Sequence, residues 1–404
     1  MKRLGNVWND FVSNDNAVTA IVEGTRFKRS QKAVSFLLSD DPQEKGRLDA
    51  EEVKRYAQVI VDKIKKGEWR HKQPKHRRQF CKSRTKAGGK WRELYIPELE
   101  DHIVGHMAMQ AAMPAFTRGM HPHSCGSVPG RGIKHVVVSV EKWMKHDLQC
   151  RYFVKLDIRH FFDNIQAKKL KQALREKIKD ERLVKIFEQI IDSAPVACPI
   201  GYYTSPWLAN LYIESLDWFI EQNLYKERRG KRIKYVRHYL RYVDDILLIG
   251  TSKADLEKSV RAIKNYLTEN YNLEIKDNWE IKKIGKHEIK DGKWILKPGT
   301  YMCDIGGYKF CKDSTILRDG VFLETARLAR KMKKQGYYKI HQCESINARI
   351  GWASHCDNIH FLKKYINSQI DVEKTRRIIS CGHTAETMNQ LNLQNSKSQA
   401  TPSF

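Results

Sequence analysis

Two adjacent aspartates lie within a hairpin pattern that constrains the fold more than any other part of the sequence. Asp244 and Asp245 follow the strand-like residues 239–243 and precede the aliphatic residues 246–249. Tyr, Val and Ile favour extended backbone, so both flanks are predicted to be strands joined by a sharp turn. Such a turn would hold both carboxylates at the hairpin tip, where oxygen ligands can meet a divalent cation. Because Asp-Asp is also a common solvated turn, the dipeptide alone leaves that alternative open.

The sequence carries a large excess of positive charge. Lys and Arg number 74 against 47 Asp and Glu, which gives a formal net charge of +27. A polyanion is the expected partner, and nucleic acid comes first because phosphate neutralisation supplies affinity without sequence preference. An anionic membrane surface is the alternative. No stretch reaches the roughly 18 apolar residues that span a bilayer, and no apolar signal follows Met1, so we expect a cytoplasmic protein without a membrane partner.

Residues 61–92 form the densest basic run, with thirteen Lys or Arg residues and two acidic ones. Phe80 and Trp91 are among the aromatic residues interleaved with them. Cations that hold phosphates and flat rings that stack on bases are what a nucleic-acid groove needs, and a solvated face is the alternative. Lys90 and Arg92 lie two apart on a predicted strand and therefore on one face, where they would clamp a triphosphate.

A third carboxylate, Asp157, closes a predicted strand in which apolar residues alternate. The end of a strand is a usual place for a catalytic ligand. With Asp244 and Asp245 it would supply the oxygen ligands that a two-metal nucleotidyl transferase requires. The predicted cofactor is Mg²⁺, as two ions, with Mn²⁺ as the alternative.

Hydrophobic spacing predicts the other elements. A helix is expected from the cap Asp49 to Gly67. Further helices are expected over residues 98–120, 166–191, 207–224, 253–270 and 322–335, and strand-like pieces over residues 273–276, 279–284, 294–296 and 301–310.

Nine cysteines are scattered without a C-x-x-C pair, and we expect them to be reduced. The one group with zinc-ligand chemistry comprises His341, Cys343, His355, Cys356, Cys381 and His383. Its spacing fits no compact zinc pattern, and a structural zinc is left open as the minor alternative.

Taken in order, these motifs resemble those of reverse transcriptases, which are right-hand polymerases. Residues 156–162 resemble the first catalytic motif of the family, residues 242–245 its Y-x-D-D box, residues 201–206 its G-x-x-x-S-P element and residues 304–308 its primer-grip hairpin. The resemblance covers residues from about 50 to 360. It implies an α+β fold with fingers, a palm built on an antiparallel sheet and a helical thumb, and it implies RNA-directed DNA polymerase activity.

The resemblance also implies a division of the chain. The expected parts are an N-terminal helical extension at residues 1–48, fingers with part of the palm at 49–150, the palm with the catalytic motifs at 151–312, a helical thumb at 313–380 and a polar, disordered tail at 381–404.

Residue by residue, the resemblance implies roles for the site. Asp157, Asp244 and Asp245 would be catalytic, and the metals would be held by Asp157, Asp244 and the carbonyl of Ile158, with Asp245 in support. The dNTP would contact Lys90, Arg92, Ile158, Phe162, Ile200 and Gly201, and Phe162 would exclude a 2′-hydroxyl. Primer and template would contact Tyr242, Gly306, Gly307, Tyr308, Arg327, Arg330 and Lys334.

No segment resembles an endonuclease, ribonuclease H or protease, which favours the compact bacterial and phage enzymes, including diversity-generating and defence-associated types. Ile200 stands where most members have Gln, as in the diversity-generating group, whereas Ser205-Pro206 has the ordinary form, so the subgroup stays open. The expected partners are an RNA template, a DNA product, dNTPs and a cognate noncoding RNA, with an accessory protein or an oligomer left open. The alternatives are protein-primed or untemplated DNA synthesis by the same palm, and a catalytically silent nucleic-acid-binding scaffold.

Overall fold

The computed structural model describes residues 3–28, 31–41, 46–82, 89–291, 293–357 and 361–380. The chain divides into two compact units. The first comprises Met1–Lys82, Gly88–Val136 and Gln149–Lys282, and the second comprises Ser83–Ala87, Val137–Leu148 and Lys283–Phe404. The tail predicted to be disordered, residues 381–404, lies outside the described residues.

Most helices of the described chain belong to the first unit. They are α1 (Trp8–Phe11), α2 (Asn14–Thr25), α3 (Ala50–Lys65), α4 (Leu99–Thr117), α5 (Ile133–His146, which continues into the second unit), α6 (Ala167–Lys177), α7 (Glu181–Asp192), α8 (Ser205–Tyr212), α9 (Glu214–Asn223) and α10 (Lys253–Tyr271). A 3₁₀ helix spans Lys32–Leu37. The predicted cap of α3 is confirmed, because the Asp49 carboxylate accepts hydrogen bonds from the backbone N–H groups of Glu51 and Glu52 at 2.9 and 3.0 Å.

The strands of the first unit form one central sheet and two hairpins. They are β1 (Lys75–Lys82), β2 (Gly89–Ile96), β3 (Ser124–Cys125), β4 (Tyr152–Asp157), β5 (Tyr225–Arg228), β6 (Lys231–Lys234), β7 (His238–Tyr242) and β8 (Asp245–Gly250), and β9 (Lys282–Lys283) lies at the unit boundary. In the central sheet the order is β3, β7, β8, β4, and β1–β2 and β5–β6 are separate antiparallel hairpins.

The core lies between the central sheet and the helices that pack on it. Ile246 and Leu248 of β8 are completely buried, as expected for a central strand covered on its faces. Helix α10 packs against β8 and buries the predicted stripe of Leu256, Val260 and Ile263. This packing makes β8 a rigid support for the residues at its N-terminal end.

Four predictions of regular structure are wrong in detail. The strand expected over residues 273–276 is reduced to an isolated bridge between Ile158 and Ile275. The helix expected over residues 166–191 is divided into α6 and α7, because Asp180 accepts a hydrogen bond from the Arg182 N–H at 3.2 Å and begins a new helix. The helix expected over 207–224 is divided at Ile213, whose backbone is not helical. The strand expected over 279–284 is reduced to the two residues of β9.

The second unit combines short strands with helices. Its elements after β9 are β10 (His287–Lys290), β11 (Lys293–Leu296), β12 (Cys303–Ile305), β13 (Tyr308–Phe310), β14 (Thr315–Leu317), α11 (Asp319–Gln335), α12 (Ile340–Ala353), a π-helical turn (Leu362–Asn367) and α13 (Val372–Ser380). Strands β10 and β11 form a hairpin, and β12, β13 and β14 form an antiparallel sheet. These strands belong to the same compact unit as the helices of the predicted thumb, and the predicted thumb boundary at residue 313 stays a prediction.

Among the described residues, none of the helices is both long enough and apolar enough to cross a bilayer.

Gly201 makes a close backbone contact that no other residue can make. It has φ +119, and a Cβ there would lie 2.3 Å from the Tyr95 carbonyl oxygen. The Tyr95 N–H donates to the Ile200 carbonyl at 2.8 Å, so this contact joins β2 to the loop before α8. We expect Gly201→Ala to destabilise the fold by about 3 kcal/mol or more, because backbone must move in addition to the strained φ. Urea unfolding followed by circular dichroism measures the loss.

Gly230 provides the matched control, since it has φ +71 and no atom within 4 Å of an added Cβ. Gly230→Ala is expected to cost only the left-handed backbone strain, about 1–2 kcal/mol. Equal losses in the two variants would contradict a steric role for Gly201.

Candidate active site

The hairpin between β7 and β8 turns at two residues. Tyr242 pairs with Asp245 across the antiparallel strands, which leaves Val243 and Asp244 as the turn. Val243 has φ +58, a left-handed conformation that a β-branched residue rarely adopts. Such strain persists only where the surroundings hold the backbone in place, and it is concentrated at functional sites.

Strand β4 brings the third carboxylate to this turn. It pairs antiparallel with β8 in a register that sets Asp157 opposite Asp245. Immediately after Asp157, the Ile158 N–H donates to the Asp244 carbonyl at 3.4 Å. Opposed residues on paired strands have Cα atoms about 4.5–5.5 Å apart, so the carboxylates lie within reach of shared cations. Strand pairing therefore assembles the three aspartates that the sequence placed at separate strand ends.

A buried arginine lies beneath the turn. The Nε and Nη2 atoms of the fully buried Arg241 donate to the two carboxylate oxygens of Asp217 on α9, each at 2.7 Å. The guanidinium also donates to Asn210 Oδ1 at 2.8 Å and to Ser124 Oγ at 2.7 Å. Its Nη1 donates to the Val243 carbonyl at 3.0 Å. All five N–H donors of the guanidinium are thus satisfied, as a buried charge requires.

Two further contacts hold the same turn. The Val243 N–H donates to the Cys125 carbonyl at 3.2 Å, which ties the turn to β3. A Cβ on the neighbouring Gly126 would lie 2.7 Å from the Val243 side chain, so only glycine permits this approach. Below the turn, the Tyr239 hydroxyl donates to Asp217. Burial lowers the pKa of Arg241, but Asp217 raises it above its ordinary value, so the guanidinium stays charged.

The carboxylates repel one another, and two lysines offset part of that repulsion. Burial raises the pKa of Asp244 above its ordinary value, and the neighbouring Asp245 and Asp157 raise it further. The Lys155 ammonium lies 3.0 Å from Asp245 Oδ1, and the Lys276 ammonium lies 2.5 Å from Asp157 Oδ1. Three carboxylates therefore face two ammonium groups.

This set of donors fits Mg²⁺ or Mn²⁺. The side-chain ligands are all carboxylate oxygens, and the Ile158 carbonyl follows Asp157 in the chain, so the donors are the hard oxygens that these cations prefer. Among the described residues, Asp157 Oδ1 is a buried oxygen that accepts no aligned hydrogen bond, although the Lys276 ammonium is close to it. A buried oxygen in this state is suited to bind a metal ion.

The predicted triphosphate clamp lies on the β1–β2 hairpin. Lys90 and Arg92 are both exposed and point to one face of β2, as predicted. Trp91 points to the other face, where it pairs with Phe80 across the hairpin, with ring centroids 5.3 Å apart. The hairpin thus presents a basic face and an aromatic face.

The remaining predicted dNTP residues lie beside the core of the first unit. Ile200 and Gly201 contact Tyr95, near the end of β2. Phe162 is half-buried at the start of a 3₁₀ turn (Phe162–Asn164), and its ring lies 5.5 Å from that of Phe161. Tyr242, predicted to contact primer or template, is half-buried beside Gly126, and burial raises its pKa.

The predicted primer-grip hairpin lies in the second unit. Gly306 and Gly307 form its two-residue turn with φ values of +61 and +90, and Ile305 pairs with Tyr308 across it. Tyr308 is fully buried, and its hydroxyl donates to the Trp352 carbonyl at 2.9 Å. Because the Tyr308 side chain is buried inside this unit, the predicted contact with primer would be made by the backbone of Gly306 and Gly307.

The predicted thumb cations lie on α11. Arg327, Arg330 and Lys334 are exposed, and their spacing of three and four residues sets them along one face of the helix. Their contact with nucleic acid stays a prediction.

The zinc-ligand group proposed from the sequence is not assembled among the described residues. His341, Cys343, His355 and Cys356 belong to no group of three ligand atoms within 4.8 Å of one another in that part of the chain. Cys381 and His383 lie outside the described residues.

Sequence reasoning missed the groups that support the carboxylates. Asp217 is flanked by Leu216 and Trp218 in α9, and Arg241 is flanked by Leu240 and Tyr242 in β7, so each is a charged residue between apolar or aromatic ones. Because buried charges are almost always paired, these two exceptions were the available signal. Nothing in the local pattern distinguishes Lys155 or Lys276 from the many other lysines.

Residues 84–279 match the family described as reverse transcriptase (RNA-dependent DNA polymerase). This region of the chain belongs to the reverse transcriptase family. The predicted family and its α+β right-hand fold class are thereby confirmed, and the matched region contains Asp157, Asp244 and Asp245. The fingers, palm and thumb boundaries stay predictions.

Several known proteins are similar to this chain. Protein YkfC of Escherichia coli (strain K12) is 25% identical over 234 residues, which cover 50% of this chain and 60% of YkfC. The retron Ec73 reverse transcriptase of Escherichia coli is 25% identical over 292 residues, which cover 69% of this chain and 83% of that protein. The structure of apo telomerase from Candida tropicalis has a TM-score of 0.46 at 11% identity, covering 75% of this chain and 57% of that chain. The chain therefore spans less than two thirds of the length of YkfC and of the telomerase chain.

The buried ion pair makes a direct prediction about stability. Asp217→Asn leaves the Arg241 charge buried without its counter-ion, and we expect a loss of about 3–5 kcal/mol. Urea unfolding of the metal-free protein measures it. Glu51→Gln is the control, because it removes an ion pair with Lys54 whose side chains are 64% and 83% exposed, and it is expected to change stability little. A loss no larger than that of the control would contradict the assigned role.

Proposed function

We propose that the chain is an RNA-directed DNA polymerase that adds dNTPs to the 3′-hydroxyl of a primer, using two divalent ions. The observation that supports it most is the strand register that sets Asp157 opposite Asp245, beside a turn that carries Asp244. The family match and the retron relative, itself named a reverse transcriptase, agree with this chemistry. The name of the retron relative favours a role in a retroelement.

The proposed roles in the metal site are those that the family resemblance implies, and the strand register is consistent with them. Asp157 and Asp244 hold the ions with the Ile158 carbonyl, and Asp245 supports them from the adjacent strand position. Bound there, the two ions would activate the attacking hydroxyl and neutralise the leaving pyrophosphate. The side chains themselves supply position and charge, and the support beneath the turn keeps them from moving during the reaction.

The nucleotide and nucleic acid would be held by the other predicted residues. Lys90 and Arg92 bind the triphosphate from one exposed face of β2, which their placement permits. Phe162 excludes a 2′-hydroxyl, and its packing against Phe161 supports a fixed ring. The net charge of +27 and the exposed cations of α11 favour an RNA template and a DNA product as partners. A cognate noncoding RNA and an accessory protein remain part of the proposal.

Replacing the proposed ligands should abolish DNA synthesis. Asp244→Asn and Asp157→Asn are each expected to lower dNTP incorporation on a primed RNA template by on the order of 10³-fold, because each removes a ligand charge from the metal site. Asp163→Asn is the matched control, since Asp163 is an exposed acid close in sequence to Asp157, and it should retain activity. Undiminished incorporation by the Asp244 variant would contradict the proposal, and equal synthesis without RNA would favour untemplated polymerisation.

The lysines at the carboxylates should compete with the metal. Lys276→Gln removes the ammonium from Asp157, so we expect Mg²⁺ to bind the nucleotide-free protein at least about fivefold more tightly. The Mg²⁺ dependence of the melting temperature measures this change. Lys264→Gln is the control, because the Lys264 ammonium lies 3.5 Å from Asp277, an acid with a side chain that is 79% exposed. Equal Mg²⁺ affinity in the two variants would show that Lys276 does not occupy the site of a cation.

A further inference from the structure

A second cluster of side chains that could bind a metal ion lies at the base of the β10–β11 hairpin, in the second unit. His287 begins β10, Cys311 follows β13, and Asp313 lies in the turn before β14. Their ligand atoms lie within 4.8 Å of one another. The cluster therefore joins the hairpin to the β12–β14 sheet, and among the described residues no ladder of strand hydrogen bonds connects the two.

The hairpin has little core of its own. Ile289 and Trp294 are opposite each other on β10 and β11, and they are 68% and 69% exposed. A two-stranded hairpin is marginally stable in water unless something else supports it. The attachment at its base is therefore the part of the hairpin where a cross-link would have the greatest effect.

The three ligand atoms are grouped around one carboxylate oxygen. Asp313 Oδ1 lies 2.9 Å from His287 Nδ1 and 3.1 Å from Cys311 Sγ, and the nitrogen and sulfur are 3.7 Å apart. The other carboxylate oxygen accepts the His287 backbone N–H at 2.8 Å, which fixes the carboxylate relative to the histidine. Cys311 Sγ also lies 3.0 Å from Ser314 Oγ.

These separations are close to those around a tetrahedral zinc ion. Bond lengths of about 2.0–2.3 Å and tetrahedral angles place pairs of ligands roughly 3.3–3.6 Å apart. Moving His287 Nδ1 and Asp313 Oδ1 apart by a few tenths of an ångström would admit the ion. One imidazole, one thiolate and one carboxylate are ligand types that zinc accepts together, whereas Mg²⁺ prefers oxygen alone.

We propose that His287, Cys311 and Asp313 bind one Zn²⁺ ion that staples the β10–β11 hairpin to the β12–β14 sheet, with water as the fourth ligand. Binding would displace the proton of the Cys311 thiol to solvent and replace the hydrogen bonds among the three side chains by bonds to the metal. Cys311 is 1% exposed, so its sulfur is shielded from competing ligands. Burial raises the pKa of the Cys311 thiol, and the cation would supply the charge that stabilises its thiolate.

The experiment uses the full chain, purified without chelator. Bound zinc is measured by mass spectrometry after dialysis, and Co²⁺ is then substituted to look for the near-ultraviolet charge-transfer absorption of a thiolate ligand. We expect about one zinc per chain and a thiolate–cobalt band. Cys311→Ser should abolish the band and weaken zinc binding at least tenfold, and His287→Asn should weaken binding comparably while keeping the thiol.

Cys343→Ser is the matched control, because Cys343 is a buried cysteine of the same unit that belongs to no three-ligand group among the described residues. It should retain the metal and the band. Circular dichroism of each variant shows whether it folds. If Cys311→Ser does not fold, the proposal is tested by the cobalt spectrum of the wild-type protein and by zinc binding to His287→Asn. Wild-type protein without zinc and without a thiolate–cobalt band would overturn the proposal and leave a hydrogen-bonded cluster. Loss of the band in Cys343→Ser but not in Cys311→Ser would also overturn it.

Discussion

The ion pair between Arg241 and Asp217 is the interaction on which the rest of the active site depends. Burial of two charges is costly, and the cost is offset only when their donors and acceptors are satisfied. Arg241 uses all five of its N–H donors, and one of them reaches the Val243 carbonyl in the turn. Because Val243 has φ +58, this bond and the contact with β3 hold a turn that a β-branched residue otherwise avoids.

The turn held in this way carries charge that destabilises the metal-free fold. Burial and two neighbouring carboxylates raise the pKa of Asp244, so ionisation of the site is opposed. Lys155 and Lys276 reduce the repulsion without removing it, since two ammonium groups face three carboxylates. The remaining repulsion among the carboxylates would be relieved by bound cations. This favours metal-dependent chemistry over a catalytically silent binding scaffold.

Local sequence patterns predicted the elements that carry the carboxylates, but not the groups that support them. Alternation of apolar residues and turn chemistry act over a few residues, and they sufficed for the hairpin around Asp244 and the strand that ends at Asp157. The partners of Arg241 are separated from it by 24 residues for Asp217 and 117 for Ser124, so only tertiary packing brings them together. The break between α8 and α9 lies at Ile213, and neither Pro nor Gly occurs there to predict the end of a helix. Tyr308 was predicted to contact the primer, and its side chain is buried. The family motif predicts the position of the hairpin but not which of its side chains face inward.

The most direct measurement of the central claim is the structure of the protein with Mn²⁺, a primed RNA–DNA duplex and a non-hydrolysable dNTP, with manganese located by anomalous scattering. We expect two manganese ions bound by Asp157 and Asp244, with the Lys276 ammonium displaced from Asp157 and the primer 3′ end directed at the ions. Duplex and nucleotide bound with no manganese at these carboxylates, or with the lysine still paired to Asp157, would contradict it.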